Sequence, residues 1–338
     1  MPYEFHKIKR YNSLMTSITM SAHGEVHPNL RPLSMFRDLP AVADLIELCF
    51  SSTMDSDGKR YLQDMRRVGK DNLLLKWASR AAETTSLPLN GYVWEENGRI
   101  VGNVSLVPFR YNKQKIYLIA NIGVHPDFRR RGIARALTER AIKHAQEKKA
   151  DFIWLHVRDD NPHAIDLYNK LGFIERARRT TWQATTEAYA PTLQTDIAIT
   201  ARHTRFWPTQ EHWLARLYPD ALAWHRGWNF DSLGPGFWNW LYLLFVDVNI
   251  RQWAAVKGDS LEATLAWIPL GRGEALFAGT DEGSDPEALV ALLLRARREL
   301  SQLYPNIIMD YPSGKFDGAI QSAGFRALRT LIWMQATS

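Results

Sequence analysis

The stretch His125 to Leu137 reads H-P-D-F-R-R-R-G-I-A-R-A-L, and it joins a strand to a helix. Before it, the apolar run Tyr117–Val124 predicts a strand, which Pro126 closes. After it, Leu137, Ala141, Ile142 and Ala145 recur at helical spacing, predicting an amphipathic helix over Ile133–Lys148. A turn of this kind points several backbone N–H groups at one place, with the positive end of the helix dipole behind them. Gly132 lets a backbone come close to an anion, and the small Ala134 does not block it. Arg129, Arg130, Arg131 and Arg135 add charge-assisted donors. The turn therefore predicts a local site for a phosphate-bearing ligand.

Working outward, Leu30–Phe36 reads as a short strand and Leu39–Phe50 as a helix capped by Asp38. Tyr61–Val68 reads as a second helix. Tyr92–Trp94 and Ile100–Val107 flank Asn97-Gly98, a strong hairpin signal. Downstream, Phe152–Val157 reads as a buried strand, Pro162–Leu171 as a helix stopped by Gly172, and Phe173 to about Ala184 as another strand. Strands and helices mixed in this order predict an α/β (α+β) fold.

The chain also resembles itself. At an offset of 152 residues, Ala134–Glu147 aligns with Pro286–Glu299, and Gly172-Phe173 with Gly324-Phe325. G-N-V-S-L-V-P, ending at Pro108, resembles A-T-L-A-W-I-P, ending at Pro269. Two copies of one fold are expected. They differ at the turn, where Arg129 becomes Asp281, Gly132 becomes Ser284, and the text reads D-E-G-S-D-P. Acid in place of arginine predicts that the second copy binds no phosphate group. The expected division is an extension over 1–28, an active copy over 29–186, a linker over 187–205 and a degenerate copy over 206–338.

Length and composition agree with a soluble two-domain protein: 338 residues, 46% hydrophobic and 23% charged. The net charge of +6 is concentrated around Gly132 and not spread in a stripe, which argues against a nucleic-acid partner. The N-terminus lacks a leader-like apolar core, and the apolar run Trp240–Val246 is too short to span a membrane, so the cytoplasm and no membrane partner are expected. The single cysteine, Cys49, excludes an intrachain disulfide and reads as a structural thiol. No His, Cys and carboxylate cluster has metal-ligand spacing. Seven tryptophans between Trp207 and Trp253 read as core or interdomain packing, with an aromatic substrate pocket as the alternative.

The turn is followed, after a strand, by N-P-H-A-I-D-L-Y-N-K-L-G-F from Asn161 to Phe173. Together these two blocks resemble the signatures of the GNAT-type N-acetyltransferase superfamily, in a tandem arrangement with a degenerate second copy. The resemblance implies two domains, each with a mixed, mostly antiparallel central sheet flanked by helices. It implies acetyl-CoA as co-substrate, no metal, and an amine acceptor, here expected to be a small molecule. The turn around Arg129, Arg130, Arg131, Gly132, Ile133, Ala134 and Arg135 would hold the CoA pyrophosphate. Backbone groups of Ile122 and Val124 would pair with the pantetheine arm and polarise the thioester, Asn161 would bond the arm, and Tyr168 would return a proton to the sulfur. The family often places a carboxylate on the central strand as general base. Here that strand reads Y-L-I-A-N-I-G-V, and His156 on the next strand is the candidate instead. A non-catalytic CoA-binding sensor or scaffold is the alternative function.

Overall fold

The computed structural model describes residues 27–54, 56–68, 90–185, 196–226, 228–236, 250–269, 274–300, 304 and 306–337. Most of the expected extension, the first half of the expected linker and the run Trp240–Val246 lie outside the described residues.

The hydrophobic alternations become twelve strands of one sheet: β1 Leu30–Pro32, β2 Asn90–Glu96, β3 Arg99–Tyr111, β4 Gln114–Val124, β5 Phe152–Arg158, β6 Phe173–Ala184, β7 Ile197–Ala201, β8 Arg251–Lys257, β9 Ser260–Pro269, β10 Glu274–Thr280, β11 Ile307–Pro312 and β12 Phe325–Ala336. Helices α1 Met35–Phe50, α2 Ser56–Val68, α3 Ile133–Glu147, α4 Pro162–Lys170, α5 Trp207–Leu217, α6 Ala223–Arg226, α7 Pro286–Leu300 and α8 Asp317–Ser322 flank it. None of the helices among the described residues is long and apolar enough to cross a membrane.

The sheet order is β1-β2-β3-β4-β5-β12-β6-β11-β10-β9-β8-β7. Among the described residues only β4–β5 and β10–β11 run parallel. The order contains an exchange. The last strand of the chain, β12, lies between β5 and β6, and β6 pairs on its other side with β11. Each half therefore completes its sheet with the final strand of the other. The β6–β12 pairing runs from Phe173 opposite Ala336 to Ala184 opposite Phe325, so it maps onto itself under the sequence repeat. Gly172 and Gly324, which open these strands, share the left-handed backbone at φ 82° and 77°.

Packing follows the two faces. Under α3 and α4, Val101, Val104, Leu106, Ile119, Leu137, Leu155, Val157 and Phe173 form one core, and Ile332 and Met334 of β12 belong to it. A second core buries α5 and α7 against β8–β11. On the opposite face of the first half, Leu222 and Trp224 pack with Val107, Leu118, Trp154 and Trp333. Trp253 belongs to the second core, Trp207 and Trp228 pack against it, and Trp224 bridges the halves, as the packing reading of the tryptophans expects.

Local readings shift in places. The strand expected over Leu30–Phe36 stops at Pro32, and α1 starts at Met35 with Ser34 as N-cap. Asp38 is not the cap. Its carboxylate is buried and accepts from the Ser34 amide at 2.7 Å and from Arg31 at 2.6 Å. These bonds tie the helix start to β1, which local propensity cannot reveal. The stretch expected as linker contains β7, an edge strand paired with β8.

Candidate functional site

The quoted turn has the conformation its glycine implied. Gly132 is the N-cap of α3 at φ 79° and Arg130 also lies in the left-handed region at φ 64°. No atom lies within 4 Å of where a Cβ on Gly132 would sit, so glycine is needed for backbone freedom and not for space. Among the described residues, the amides of Arg130 to Arg135 donate to no protein acceptor. The first backbone bond of the helix is Ala136 N–H to the Gly132 carbonyl at 3.0 Å. A run of unused donors at a helix N-terminus is an arrangement suited to an anion.

The arginines divide their work. Arg129 donates from Nε to the Val124 carbonyl at 3.2 Å, fastening the turn to the end of β4. Arg131 donates to the Asp127 carbonyl at 3.2 Å and stacks over Phe128 at 4.8 Å. Arg135 meets Glu139 one turn along at 3.5 Å. His125 is buried, with its Nε2 2.7 Å from Arg99. From the β2–β3 hairpin, Glu96 Oε2 comes within 3.8 Å of Arg131 Nη1.

Beside the turn the sheet opens. β4 and β5 are in register only from Ile116 opposite Phe152 to Ile119 opposite Leu155. β4 continues to Val124 and β5 to Arg158 without pairing to each other. The cause is a bulge in β4: Asn121 adopts φ 52°, and the register with β3 slips between Asn103–Gly123 and Ser105–Ala120. Ile122 sits in this bulge with no register partner on either neighbour. Val124 pairs with Gly102 at the open end. Unpaired backbone thus lines a gap that leads to the amides of the turn.

On the far side of the gap, α4 begins with Asn161, whose Oδ1 accepts from the Ala164 amide at 3.2 Å. Its side-chain NH2 is left for another partner. Tyr168 is buried in the core beneath α4, edge-on to Phe173 at 6.2 Å between ring centroids. Burial pushes its phenol well above the usual value, so the ring stays protonated at neutral pH. No protein group among the described residues hydrogen-bonds its hydroxyl.

His156 lies on the other face of β5 from the core residues Leu155 and Val157. Trp333 packs on its ring at 4.0 Å, His225 meets it edge-on at 5.3 Å and Trp224 stacks at 6.3 Å. Its Nε2 is buried without a hydrogen-bond partner among the described residues. Burial, reinforced by His225 and Arg329, holds the imidazole well below its ordinary pKa and therefore neutral. The structure thus does not bring His156 and Tyr168 together: they occupy opposite faces of the sheet, on either side of the gap.

Sequence reasoning missed a polar cluster on the His156 face. Asn103 and Ser105 are fully buried, and Asn121 and Tyr61 join them. The available signal was the alternation N-V-S within an otherwise apolar strand, which places two polar side chains on one face. Cys49 is half-buried, and burial, the dominant effect, raises the pKa of its thiol, consistent with a structural role.

Residues 45–173 match the family model for the acetyltransferase (GNAT) family. Over 67 residues the chain is 42% identical to the [ribosomal protein bS18]-alanine N-acetyltransferase of Escherichia coli (strain K12), covering 20% of this chain and 45% of that protein. Mycothiol acetyltransferase of Corynebacterium kroppenstedtii is 31% identical over 126 residues, 33% of this chain and 31% of that protein. The chain thus spans less than half the length of either relative. A GCN5-related N-acetyltransferase from Sphaerobacter thermophilus shares the fold, with a TM-score of 0.54, 14% identity, and coverage of 91% of this chain and 96% of that one. The family match falls on the residues that form the turn and the divergent strands.

Proposed function

We propose that this protein is an acyl-CoA-dependent N-acyltransferase that moves an acetyl group from acetyl-CoA directly to a primary amine of a small molecule. One observation carries the reading: a strand gap with unpaired backbone leads to six consecutive amides that have no acceptor among the described residues. The amides of Arg130 to Ala134 hold the pyrophosphate, with Arg129, Arg131 and Arg135 supplying charge around it. Backbone groups of Ile122 and Val124 pair with the pantetheine arm and polarise the thioester carbonyl. The free NH2 of Asn161 bonds the arm.

Acetyl-CoA supplies an activated acyl thioester, so no covalent enzyme intermediate is needed. Holding both reactants in one groove supplies proximity. The amine nitrogen bonds to the acyl carbon, the carbon–sulfur bond breaks, and Tyr168 donates its proton to the departing sulfur. The amine proton passes to His156, whose neutral form is the one that accepts it. Tyr168 is suited to its role because burial keeps it protonated.

The domain division follows the same logic. Residues 29–186 form the active copy, 206–338 the degenerate copy and 187–205 the connection, with the internal repeat and the acidic second turn in support.

Thiol release from acetyl-CoA across amino acids, peptides, aminoglycosides and polyamines tests the activity, with Tyr168→Phe as control. Release with at least one amine, reduced in the variant, is expected. Tight acetyl-CoA binding with no release from any amine identifies a binding module instead. Crystals soaked in CoA test the cofactor site separately, and phosphates found away from Arg130–Ala134 would sink that assignment.

A further inference from the structure

A cavity of about 480 Å³ opens between α1 and the β2–β3 hairpin, apart from the strand gap and the amides of the turn. That volume lies in the range of small-molecule sites. Ala41, Leu45 and Leu48 recur at helical spacing on one face of α1 and, with Ile100 of β3, give the cavity an apolar wall. Leu48 is exposed there despite its apolar side chain. Arg99 and His125 also line the cavity, and His125 is where β4 passes into the turn.

Most of the charge on the cavity wall is already paired. Arg31 pairs with Asp38 and Glu95, and Arg37 reaches Asp38 at 3.1 Å and Glu95 at 3.5 Å. Asp44 takes Arg66 at 2.7 Å. Arg99 differs: among the described residues no carboxylate pairs with it, and its Nη2 lies 2.7 Å from His125 Nε2.

That contact lacks an acceptor. His125 Nδ1 accepts from the Asp127 amide at 3.3 Å. A ring nitrogen that accepts carries no proton, so the imidazole proton sits on Nε2. Nε2–H and the Arg99 guanidinium then face each other as two donors. His125 is buried, with its ring edge-on to Phe128 at 5.7 Å. An oxyanion beside the pair accepts from both donors at once. Asp38, Asp44 and Glu95 share the wall and disfavour a second negative charge, so a carboxylate suits the place better than a phosphate dianion.

We propose that this cavity is an effector site for a monocarboxylate with a short apolar body, the carboxylate on Arg99 and His125 and the body against Leu45, Leu48 and Ile100. Its effect on the cofactor rests on the acyl-CoA reading above. His125 is continuous with the phosphate turn. Its Nδ1 holds the Asp127 amide, and its ring meets Phe128. Arg131 stacks over Phe128 at 4.8 Å and donates to the Asp127 carbonyl at 3.2 Å. A carboxylate that satisfies both donors fixes His125, and through Phe128 and Arg131 it pre-organises the amides of Arg130 to Ala134. The carboxylate therefore tightens CoA binding, and CoA tightens carboxylate binding by the same factor.

The test is calorimetry of the full chain with isovalerate, benzoate and inorganic phosphate, alone and with CoA. Isovalerate or benzoate should bind with a Kd of about 1 mM or tighter, the order expected for ligands of that size. Inorganic phosphate should bind about tenfold more weakly, and Arg99→Gln should weaken the carboxylate about tenfold, as for a lost charge-assisted bond. Ala41→Trp, at an exposed position of α1, fills the cavity without touching a charge and should abolish carboxylate binding. A saturating carboxylate should tighten CoA binding about threefold in the parent chain and leave it unchanged in Ala41→Trp, a modest coupling. No binding of either carboxylate at about 10 mM, ten times the expected Kd, overturns the proposal. So does carboxylate binding that survives Ala41→Trp or Arg99→Gln undiminished, phosphate binding tighter than both carboxylates, or a CoA affinity that the carboxylate does not tighten. A parent chain that binds the carboxylate but no CoA keeps the site and overturns the cofactor reading instead.

Discussion

The two turns that begin α3 and α7 occupy equivalent places in the repeat and handle their amides in opposite ways. Around Gly132 the donors are free. Around Ser284 the chain supplies its own acceptors. The Asp281 amide donates to Ser284 Oγ at 2.8 Å, the Glu282 amide to Asp281 Oδ1 at 2.8 Å, the Asp285 amide to Glu262 Oε2 at 3.2 Å and the Glu287 amide to Asp285 Oδ1 at 3.0 Å. Arg216 pairs with Asp281 at 2.5 Å. Carboxylates of the protein stand where an external anion would otherwise stand.

The adjoining gaps differ in the same sense. β10 and β11 are in register only from Glu274 opposite Ile307 to Leu276 opposite Met309, so they diverge as β4 and β5 do. Here the divergence is filled. Tyr311 is fully buried and bonds Thr280 Oγ1 at 2.7 Å, and Arg216 donates to the Thr280 carbonyl at 3.0 Å. The same strand-turn-helix geometry is thus closed to an outside anion when the chain satisfies the donors itself and fills the gap.

The comparison can be broken most severely through the exchanged strand. Deleting residues 325–338 removes the shared partner of β5 and β6, and both halves should lose cooperative unfolding, read by circular dichroism during urea titration. A folded truncated chain would show that the halves are independent. Within the strand, Trp333→Ala should cost about 3–5 kcal/mol, the range for large core truncations, in the same titration.

Next in size is the chemistry of the first half alone. Tyr168→Phe should lower kcat about 10²-fold, as for loss of a general acid, and leave the acetyl-CoA KM unchanged. An unchanged kcat removes Tyr168 from the proton path. Gly132→Asp imitates the second turn and should weaken CoA binding about 10²-fold by calorimetry, equivalent to ~2.7 kcal/mol. Its left-handed backbone should cost a further ~1–2 kcal/mol of stability. The reverse experiment, Asp281→Asn, should create no CoA site, because Thr280 and Tyr311 still close the gap.

The smallest effect separates the faces by pH. Burial depresses the pKa of His156 in the folded chain, so below the unfolded value of about 6.5 the unfolded state binds the extra proton. Stability should therefore fall as pH drops from about 6.5 towards the folded pKa, by up to ~1.4 kcal/mol per unit. His156→Phe should flatten that slope between about pH 6.5 and 5. An unchanged slope would place the titration elsewhere. Asp38 acts at lower pH. Burial alone would raise its pKa, but Arg31 and the Ser34 amide outweigh this and hold it low, so its contribution is present above about pH 4 and lost below.

Much was legible along the chain because it is local. The Asn97-Gly98 hairpin, the α3 periodicity, the Gly132 turn and the 152-residue repeat each depend on neighbours a few residues apart, and all recur in the structure at those positions. The contrast between arginine and acid at the two turns was equally readable. Asp38 was misread as a cap because its true partner, Arg31, belongs to a different element.

Sequence by itself determined the glycine turn between strand and helix and the asymmetry between its two copies, since each rests on residue types at short, fixed spacing. Only the tertiary structure decided that β12 completes the first half, that the second half walls the His156 face, and that Asn103 keeps an unused acceptor there. Strand exchange joins residues about 160 positions apart, as between Phe173 and Ala336. Backbone pairing of this kind is nearly indifferent to side-chain identity, so it leaves no local pattern. Whether a buried polar atom is satisfied depends on everything packed around it.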